Sequence, residues 1–199
     1  MYREFIKAKT DFLQAAERTY ASGIQTGTGG NLSVRIPGAD LMLVKPSGYT
    51  YGQCSEENLT VTDFDGNLLE GLYKPTQEST LHGNLYRRYQ NIGGIVHTHS
   101  PYAILVSLNF KELELVTMHA ALKLKKPVKI IDVTTQAVTT EELPKIFAVM
   151  DQDPSTAAFI LRGHGIVAMA SNAVKAGQIA ELIEETAQIF WNQKLFQKK

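Results

Sequence analysis

The sequence predicts an α/β fold in which a central, mainly antiparallel β-sheet is sandwiched by helices. Three observations predict it. Short apolar runs are punctuated by turns rich in glycine, proline, aspartate and asparagine, the pattern of strands joined by hairpins. Longer segments with helical spacing open and close the chain and interrupt the strands. The order of elements (helix, several strands, helix, strand, helix, strand, helix, hairpin, helix) is not the regular strand–helix–strand repeat of a parallel sheet.

Ile6, Leu13 and Tyr20 recur at heptad spacing, with Phe5, Phe12 and Ala16 beside them, which predicts an amphipathic helix closing at Gly23. Leu32–Ile36 and Leu41–Val44 read as a hairpin around Pro37-Gly38-Ala39-Asp40. Leu59–Thr62 and Leu68-Leu69 flank a second turn, Asp65-Gly66-Asn67. Glu78–Tyr89 is helical, with Leu81 and Leu85 one turn apart. Ile95–His99 is a buried strand and Tyr102–Leu108 a short helix. Val128–Val133 is a strand. A helix follows from about Thr140, on the signal of two threonines, Glu141-Glu142 and then Leu143, Ile146, Phe147 and Met150. Pro144 is tolerated because it falls in the first turn. Ala157–Leu161 and Ile166–Ala170 are strands around Arg162-Gly163-His164-Gly165, and Ala173 to about Phe196 is a long closing helix.

At 199 residues and 44% hydrophobic content the chain is sized for one domain, expected over 1–199, with a substantial core. Twenty basic residues balance twenty acidic ones, so the electrostatic footprint of a nucleic-acid binder is missing. No apolar run reaches the ~18 residues of a membrane span, and the mixed, charged start has no signal-peptide core. The single cysteine, Cys54, cannot form an internal disulfide and sits in a polar loop context. These features predict a cytoplasmic, reducing compartment.

The chemistry concentrates at His97-Thr98-His99. In a strand, residues two apart share a face, so both imidazoles can reach one ion. His164 sits in another tight turn beside a strand. Three imidazoles with an open position are a ligand set that lets zinc act as a Lewis acid at neutral pH. Glu78 has two readings: an acid favoured at a helix start, or a carboxylate reaching the metal centre as ligand or proton carrier. Three polar turns add hydrogen-bond donors: Thr26-Gly27-Thr28-Gly29-Gly30-Asn31, Lys45-Pro46-Ser47-Gly48-Tyr49 and Pro75-Thr76-Gln77-Glu78. Together they can hold a phosphate through backbone N–H groups, hydroxyls and a helix N-terminus.

The ordered set Gly-Thr-Gly-Gly-Asn-Leu-Ser-Val-Arg, Lys-Pro-Ser-Gly, Pro-Thr-Gln-Glu, Ile-Val-His-Thr-His-Ser and Leu-Arg-Gly-His-Gly resembles the class II aldolase/adducin family, from about residue 5 to 192. The resemblance implies the family's helix-flanked antiparallel sheet and a cyclic homotetramer with active sites at subunit interfaces. It implies His97, His99 and His164 as zinc ligands, one ion per subunit. Glu78 falls on the catalytic carboxylate that also contacts zinc when substrate is absent. Gly30, Asn31, Ser47, Gly48, Thr76 and Gln77 fall on the phosphate positions. The implied reaction is cleavage of a phosphorylated ketose, such as fuculose 1-phosphate, to dihydroxyacetone phosphate and an aldehyde through an enediolate.

The chain departs from the pattern in three places. Thr76 and Gln77 stand where the aldolase usually has two serines. No tyrosine follows Tyr102, whereas the family's aldolase and 4-epimerase use one on a C-terminal tail. Ile130–Gln136 lacks another tyrosine of the aldolase. Asp132 and His119 are the alternative proton carriers. The same metal platform serves a ribulose-phosphate 4-epimerase and a methylthioribulose-phosphate dehydratase, and these stay open beside the aldolase. An adducin-like scaffold needs no metal site, so the complete Glu78, His97, His99 and His164 set argues against it. The apolar residues of the closing helix, Ile179, Ile183, Phe190 and Trp191, exceed one narrow stripe and suggest an oligomer contact.

Overall fold

The computed structural model describes residues 2–153 and 155–197. Helix α1 (Tyr2–Ala21) buries Ala8, Phe12, Ala15, Ala16 and Thr19, one face of the expected amphipathic pattern. Strands β1 (Asn31–Ile36) and β2 (Leu41–Val44) form the hairpin, with Ile36 opposite Leu41. Strands β3 (Thr60–Asp63) and β4 (Leu68–Glu70) meet through a turn closed by Asp63, whose carboxylate accepts the N–H groups of Asp65 and Asn67, each at 2.9 Å. Then come α2 (Ser79–Arg88), β5 (Gly94–Thr98), α3 (Pro101–Asn109), β6 (Glu112–Leu113), α4 (Met118–Leu124) and β7 (Val128–Ile131). The chain closes with α5 (Leu143–Gln152), β8 (Ala158–Leu161), β9 (Gly165–Ala170) and α6 (Ala173–Gln197).

The strands hydrogen-bond in the order β4-β3-β2-β1-β5-β9-β8-β7-β6. Adjacent pairs are antiparallel apart from β7 and β8, whose parallel pairing needs the α5 crossover between them. The pleat splits the core in two. Leu32, Val34, Val96 and Ile166 pack with Phe12, Ala180 and Ile183 beneath α1 and α6. Ile95, Phe159, Val167 and Met169 pack on the other face with Leu81 and Leu85 of α2 and Ile146 and Met150 of α5. This is the helix–sheet–helix sandwich expected. No helix among the described residues is long and apolar enough to cross a membrane.

Four details differ from the sequence reading, each for a physical reason. Strand β6 and helix α4 were too short to show periodicity; α4 is started by Thr117, whose hydroxyl accepts the Ala120 N–H at 3.1 Å. Helix α5 begins at Leu143 rather than Thr140, with Pro144 in its first turn as expected. The preceding Glu142 carboxylate instead accepts the Thr134 N–H at 2.6 Å and the hydroxyls of Thr134 and Thr135. Strand β5 stops at Thr98, leaving His99 in the link to α3. Of the apolar residues of α6, Ile183 and Phe190 are buried and Ile179 and Trp191 pack against the same core, while Ile189, Leu195 and Phe196 stay exposed.

Gly165 opens β9 at φ 153°, and a Cβ there would run into the Thr98 carbonyl. Only glycine lets β9 approach β5 this closely. Gly165→Ala should therefore destabilise the fold by about 2 kcal/mol or more. Urea unfolding checks this, and an unchanged midpoint would contradict the close approach.

Candidate metal centre

The register of three strands assembles the site. Asn31 of β1 pairs with His97 of β5, and His97 pairs with Val167 of β9. His97 is fully buried, and its Nδ1–H donates to the Ile166 carbonyl at 2.8 Å. That bond fixes the tautomer and leaves the Nε2 lone pair free, the arrangement that orients metal-ligating histidines. His164 is delivered by the β8–β9 turn, where its N–H donates to the Leu161 carbonyl at 3.0 Å. Arg162 braces that turn by donating to the Ser107 and Phe110 carbonyls and the Asp132 carboxylate. His99 is held through its backbone N–H, which donates to Gln25 Oε1 at 2.6 Å.

The three rings cluster with centroids 4.7–5.0 Å apart. One nitrogen from each lies within 4.8 Å of the others, so the triad can hold a metal ion. The Nε2 atoms of His97 and His164 are 3.3 Å apart. Zn–N bonds of about 2.0–2.1 Å at a tetrahedral angle separate two nitrogens by about 3.3 Å, the spacing of this pair, and three imidazoles are a donor set suited to a divalent metal ion. Burial lowers all three imidazoles to about 4, with the neighbouring His97 adding to the effect on His99 and His164. They are therefore neutral near pH 7, with lone pairs ready to bind a cation.

Glu78 lies beside the triad. It sits at the start of α2, yet its carboxylate makes no capping hydrogen bond. It turns inward instead: Oε2 accepts from Asn31 Nδ2 at 2.7 Å and lies 3.4 Å from His97 Nε2. Burial raises its carboxyl above the usual range, against the opposing pull of the Asn31 hydrogen bond. Asn31, read as a phosphate donor, has its side-chain N–H committed to Glu78. Below them, His82 Nδ1 meets Ser33 Oγ at 2.7 Å, and that hydroxyl meets the Tyr86 hydroxyl at 2.8 Å.

The three donor-rich turns are tied to one another by backbone and Lys45 hydrogen bonds. Ser47 N–H donates to the Lys74 carbonyl at 2.8 Å, and Pro46 bridges Pro75, so Ser47-Gly48 and Thr76-Gln77 are neighbours. Lys45, only 1% exposed, ties in the first turn: its Nζ donates to the carbonyls of Thr28 (3.3 Å), Pro46 (3.4 Å) and Tyr49 (2.5 Å). Gly30 stands at φ 64° where a Cβ would strike the His97 carbonyl. The sequence reading names Lys45 only as part of the second turn, without a role, and misses Gln25 and Tyr51. The Tyr51 hydroxyl lies 2.6 Å from the Asn31 carbonyl and 2.7 Å from that of His97. A lysine ending an otherwise apolar strand was the one local signal among them. The two alternative proton carriers lie elsewhere within this chain: Asp132 pairs with Arg162, and exposed His119 lines a separate groove of about 540 Å³ with Arg18, Lys123 and Glu185. Cys54 packs against the core, its thiol pushed up to about 11 by burial, away from reactivity.

Residues 10–191 match the model of the family described as class II aldolase and adducin N-terminal domain. This chain belongs to the class II aldolase/adducin family. The family member is 33% identical over 180 residues to the L-fuculose phosphate aldolase of Methanococcus maripaludis strain C5, covering 90% of this chain and 93% of that one. It is also 33% identical, over 183 residues, to the 3-oxo-tetronate 4-phosphate decarboxylase of Haemophilus influenzae, covering 90% and 84%. Among solved structures, an L-fuculose 1-phosphate aldolase superposes with a TM-score of 0.84 at 29% identity, covering 96% of this chain and 87% of its own.

The neutral imidazoles set a pH dependence. Folded, His97, His99 and His164 bind a proton only near 4, and His82 near 3; unfolded, each does so near 6.5. Between these values the unfolded state holds more protons, so stability falls as pH falls. Glu78, with its raised pKa, acts in the opposite sense, one group against four. The metal-free protein should lose thermal stability steadily from about pH 6.5 toward 4. A melting temperature flat across that window would contradict the buried neutral state of these rings.

Proposed function

We propose that this chain is a zinc-dependent lyase that cleaves a phosphorylated ketose, such as fuculose 1-phosphate, to dihydroxyacetone phosphate and an aldehyde. The observation that carries the reading is the approach of the Glu78 carboxylate to within 3.4 Å of a triad of neutral imidazoles. The three linked turns add the means to hold a phosphate. His97, His99 and His164 would hold the ion, with Glu78 a fourth ligand until substrate arrives. Bound there, zinc supplies Lewis-acid polarisation of the ketose carbonyl.

The protein's own part is positioning and proton transfer. Gly30, Asn31, Ser47, Gly48, Thr76 and Gln77 grip the phosphate, and that remote binding energy aligns the reacting carbons. As the carbon–carbon bond breaks, the hydroxyl of the departing half gives its proton to solvent and becomes the aldehyde carbonyl, and the electron pair of the broken bond remains on the dihydroxyacetone phosphate half as an enediolate. Glu78 delivers a proton to its carbon and recovers one for the next turnover. The raised carboxyl suits this exchange, because its basicity moves toward the working pH. Asn31 aims the carboxylate, and Tyr51 fixes the backbone beneath both Asn31 and His97.

The reading includes a homotetramer, with Leu72, Met118 and Leu122 among the exposed apolar residues open to subunit contact. It takes the cytoplasm as the compartment, in keeping with the free Cys54 thiol. A second reading is favoured by the similarity to the Haemophilus decarboxylase and by Thr76-Gln77 in place of two serines. On the same platform the substrate carboxylate would depart as carbon dioxide in place of an aldehyde, its bonding electron pair staying behind on the enediolate. The 4-epimerase and dehydratase outcomes differ again in what leaves the enediolate or which bond breaks.

NMR of products from a panel of ketose phosphates, with zinc-loaded protein, should show dihydroxyacetone phosphate from at least one of them. Release of carbon dioxide from a 3-oxo acid phosphate, with no aldol cleavage, would replace this assignment by the second reading. Turnover should collapse for the same ketose without its phosphate.

Glu78→Gln should retain metal, while its activity falls by about 10²–10⁴. His97→Ala should lose the metal itself, read by elemental analysis. Full metal content in His97→Ala would remove His97 from the ligand set, and full activity in Glu78→Gln would remove the carboxylate from catalysis.

A further inference from the structure

We propose that Gln25 is a positioning residue that couples the phosphate turn to the metal site, so that an anion on the turn strengthens metal binding at His99. The inference rests on the phosphate reading above and adds to it a residue that carries no donor to the substrate. Gln25 lies on the segment between α1 and the glycine turn and is 7% exposed. Its Oε1 accepts the His99 N–H at 2.6 Å, and its Nε2 donates to the Thr26 carbonyl at 2.5 Å. One planar amide therefore bridges the backbone of the turn to the backbone of a triad residue. Next to it, Ser100 Oγ donates to the Ile24 carbonyl at 3.0 Å, a second strut between the same two segments.

The packing leaves no slack between them. A Cβ on Gly29 would lie 2.7 Å from His99 Nδ1 and 3.1 Å from Gln25 Nε2. A Cβ on Gly30 would lie 2.7 Å from Gln25 Oε1. The turn thus rests directly on the Gln25 amide and the His99 ring. His99 itself lies past the end of β5, so the sheet ladder does not fix it. Its orientation is set by Gln25 and by the link to α3. An anion that draws the Thr26–Asn31 backbone into one conformation fixes the Gln25 amide, and that amide fixes His99. Linkage then requires the reverse, with metal on His99 strengthening anion binding by the same factor.

The test measures this coupling without turnover. Zinc affinity of metal-stripped protein is read by competition with a chromophoric chelator, with and without saturating glycerol 3-phosphate, and binding of that ester is measured separately. Wild type is compared with Gln25→Met, which keeps the shape but loses both hydrogen bonds, and with Gln25→Glu, which keeps the acceptor facing His99 but loses the donor to the Thr26 carbonyl. Attraction between dianion and cation is common to all three, so the quantity read is the difference in enhancement. The ester should tighten zinc in wild type by at least about fivefold more than in Gln25→Met, the lower end of typical coupling. Gln25→Glu, cut off from the turn, should show the same reduced enhancement as Gln25→Met. Equal enhancement in wild type and Gln25→Met overturns the proposal, including the case where Gln25→Met is merely less stable. Failure of wild type to bind the ester at all would instead bring down the phosphate reading on which the coupling stands.

Discussion

The hydrogen bond from His97 Nδ1 to the Ile166 carbonyl is the interaction on which the site depends. It joins β5 to β9 through a side chain, at the point where the sheet ladder between them ends. It settles which imidazole nitrogen carries the proton, and so which one faces His164. The carbonyl it uses comes from the residue after Gly165, whose missing side chain allows the strands to approach there. Sheet register, tautomer and ligand geometry are thus a single constraint. A one-residue slip of β9 would turn Val167 and Met169 out of the α2 and α5 core and remove the acceptor from His97 at once.

A second consequence follows from the polar stripe between α2 and β1. Glu78, His82 and Tyr86 recur every helical turn, and Asn31 and Ser33 recur on one face of the strand opposite. They meet as Glu78 with Asn31, and as His82 and Tyr86 with Ser33. An apolar seam would be cheaper to bury, since each polar group must recover its lost hydration. The pairing specifies one axial position for α2 over β1, because a shift by one turn would set each donor and acceptor against the wrong partner. Arg35 anchors the far end by donating to the carbonyls of Tyr86, Tyr89 and Ile92. The carboxylate at the near end inherits that fixed placement.

How much of this was legible in the sequence depended on range. The strand-end histidine pair, the glycine turn carrying His164 and the hairpins are encoded within a few residues, and local periodicity reveals them. Gln25, Lys45 and Tyr51 act through partners brought near only by the folded sheet. Lys45 could be noticed as a cation ending an apolar strand, but nothing near it in sequence says that its ammonium would hold three backbone carbonyls. Asn31 was noticed as a turn donor, and its commitment to Glu78 depends on a contact across 47 positions. The surplus apolar residues of α6 suggested a partner because a sequence does not show how many neighbours a helix has; α1, α3 and the sheet account for Ile179, Ile183, Phe190 and Trp191 here.

The distribution of unpartnered buried atoms connects stability with function. Among the described residues, eight buried side-chain atoms lack a hydrogen-bond partner, and four of them belong to Asn31, Glu78, His82 and His164. Such atoms cost about 1–3 kcal/mol each when nothing compensates them. Thr19, Thr60, Thr62 and Glu181 carry the others, while Asn31, Glu78 and His82 share the α2–β1 stripe and His164 belongs to the triad, so half of the set lies at the site. Free Glu78 Oε1 leaves that carboxylate an unspent acceptor beside the triad, where a proton or a cation has most to gain. A ligand bound only by the folded state returns part of this cost as added stability. The same geometry that weakens the empty protein is therefore what gives Glu78 its basicity and the three imidazoles their free lone pairs. Relieving the strain by replacing the stripe with apolar residues would remove the chemistry along with it.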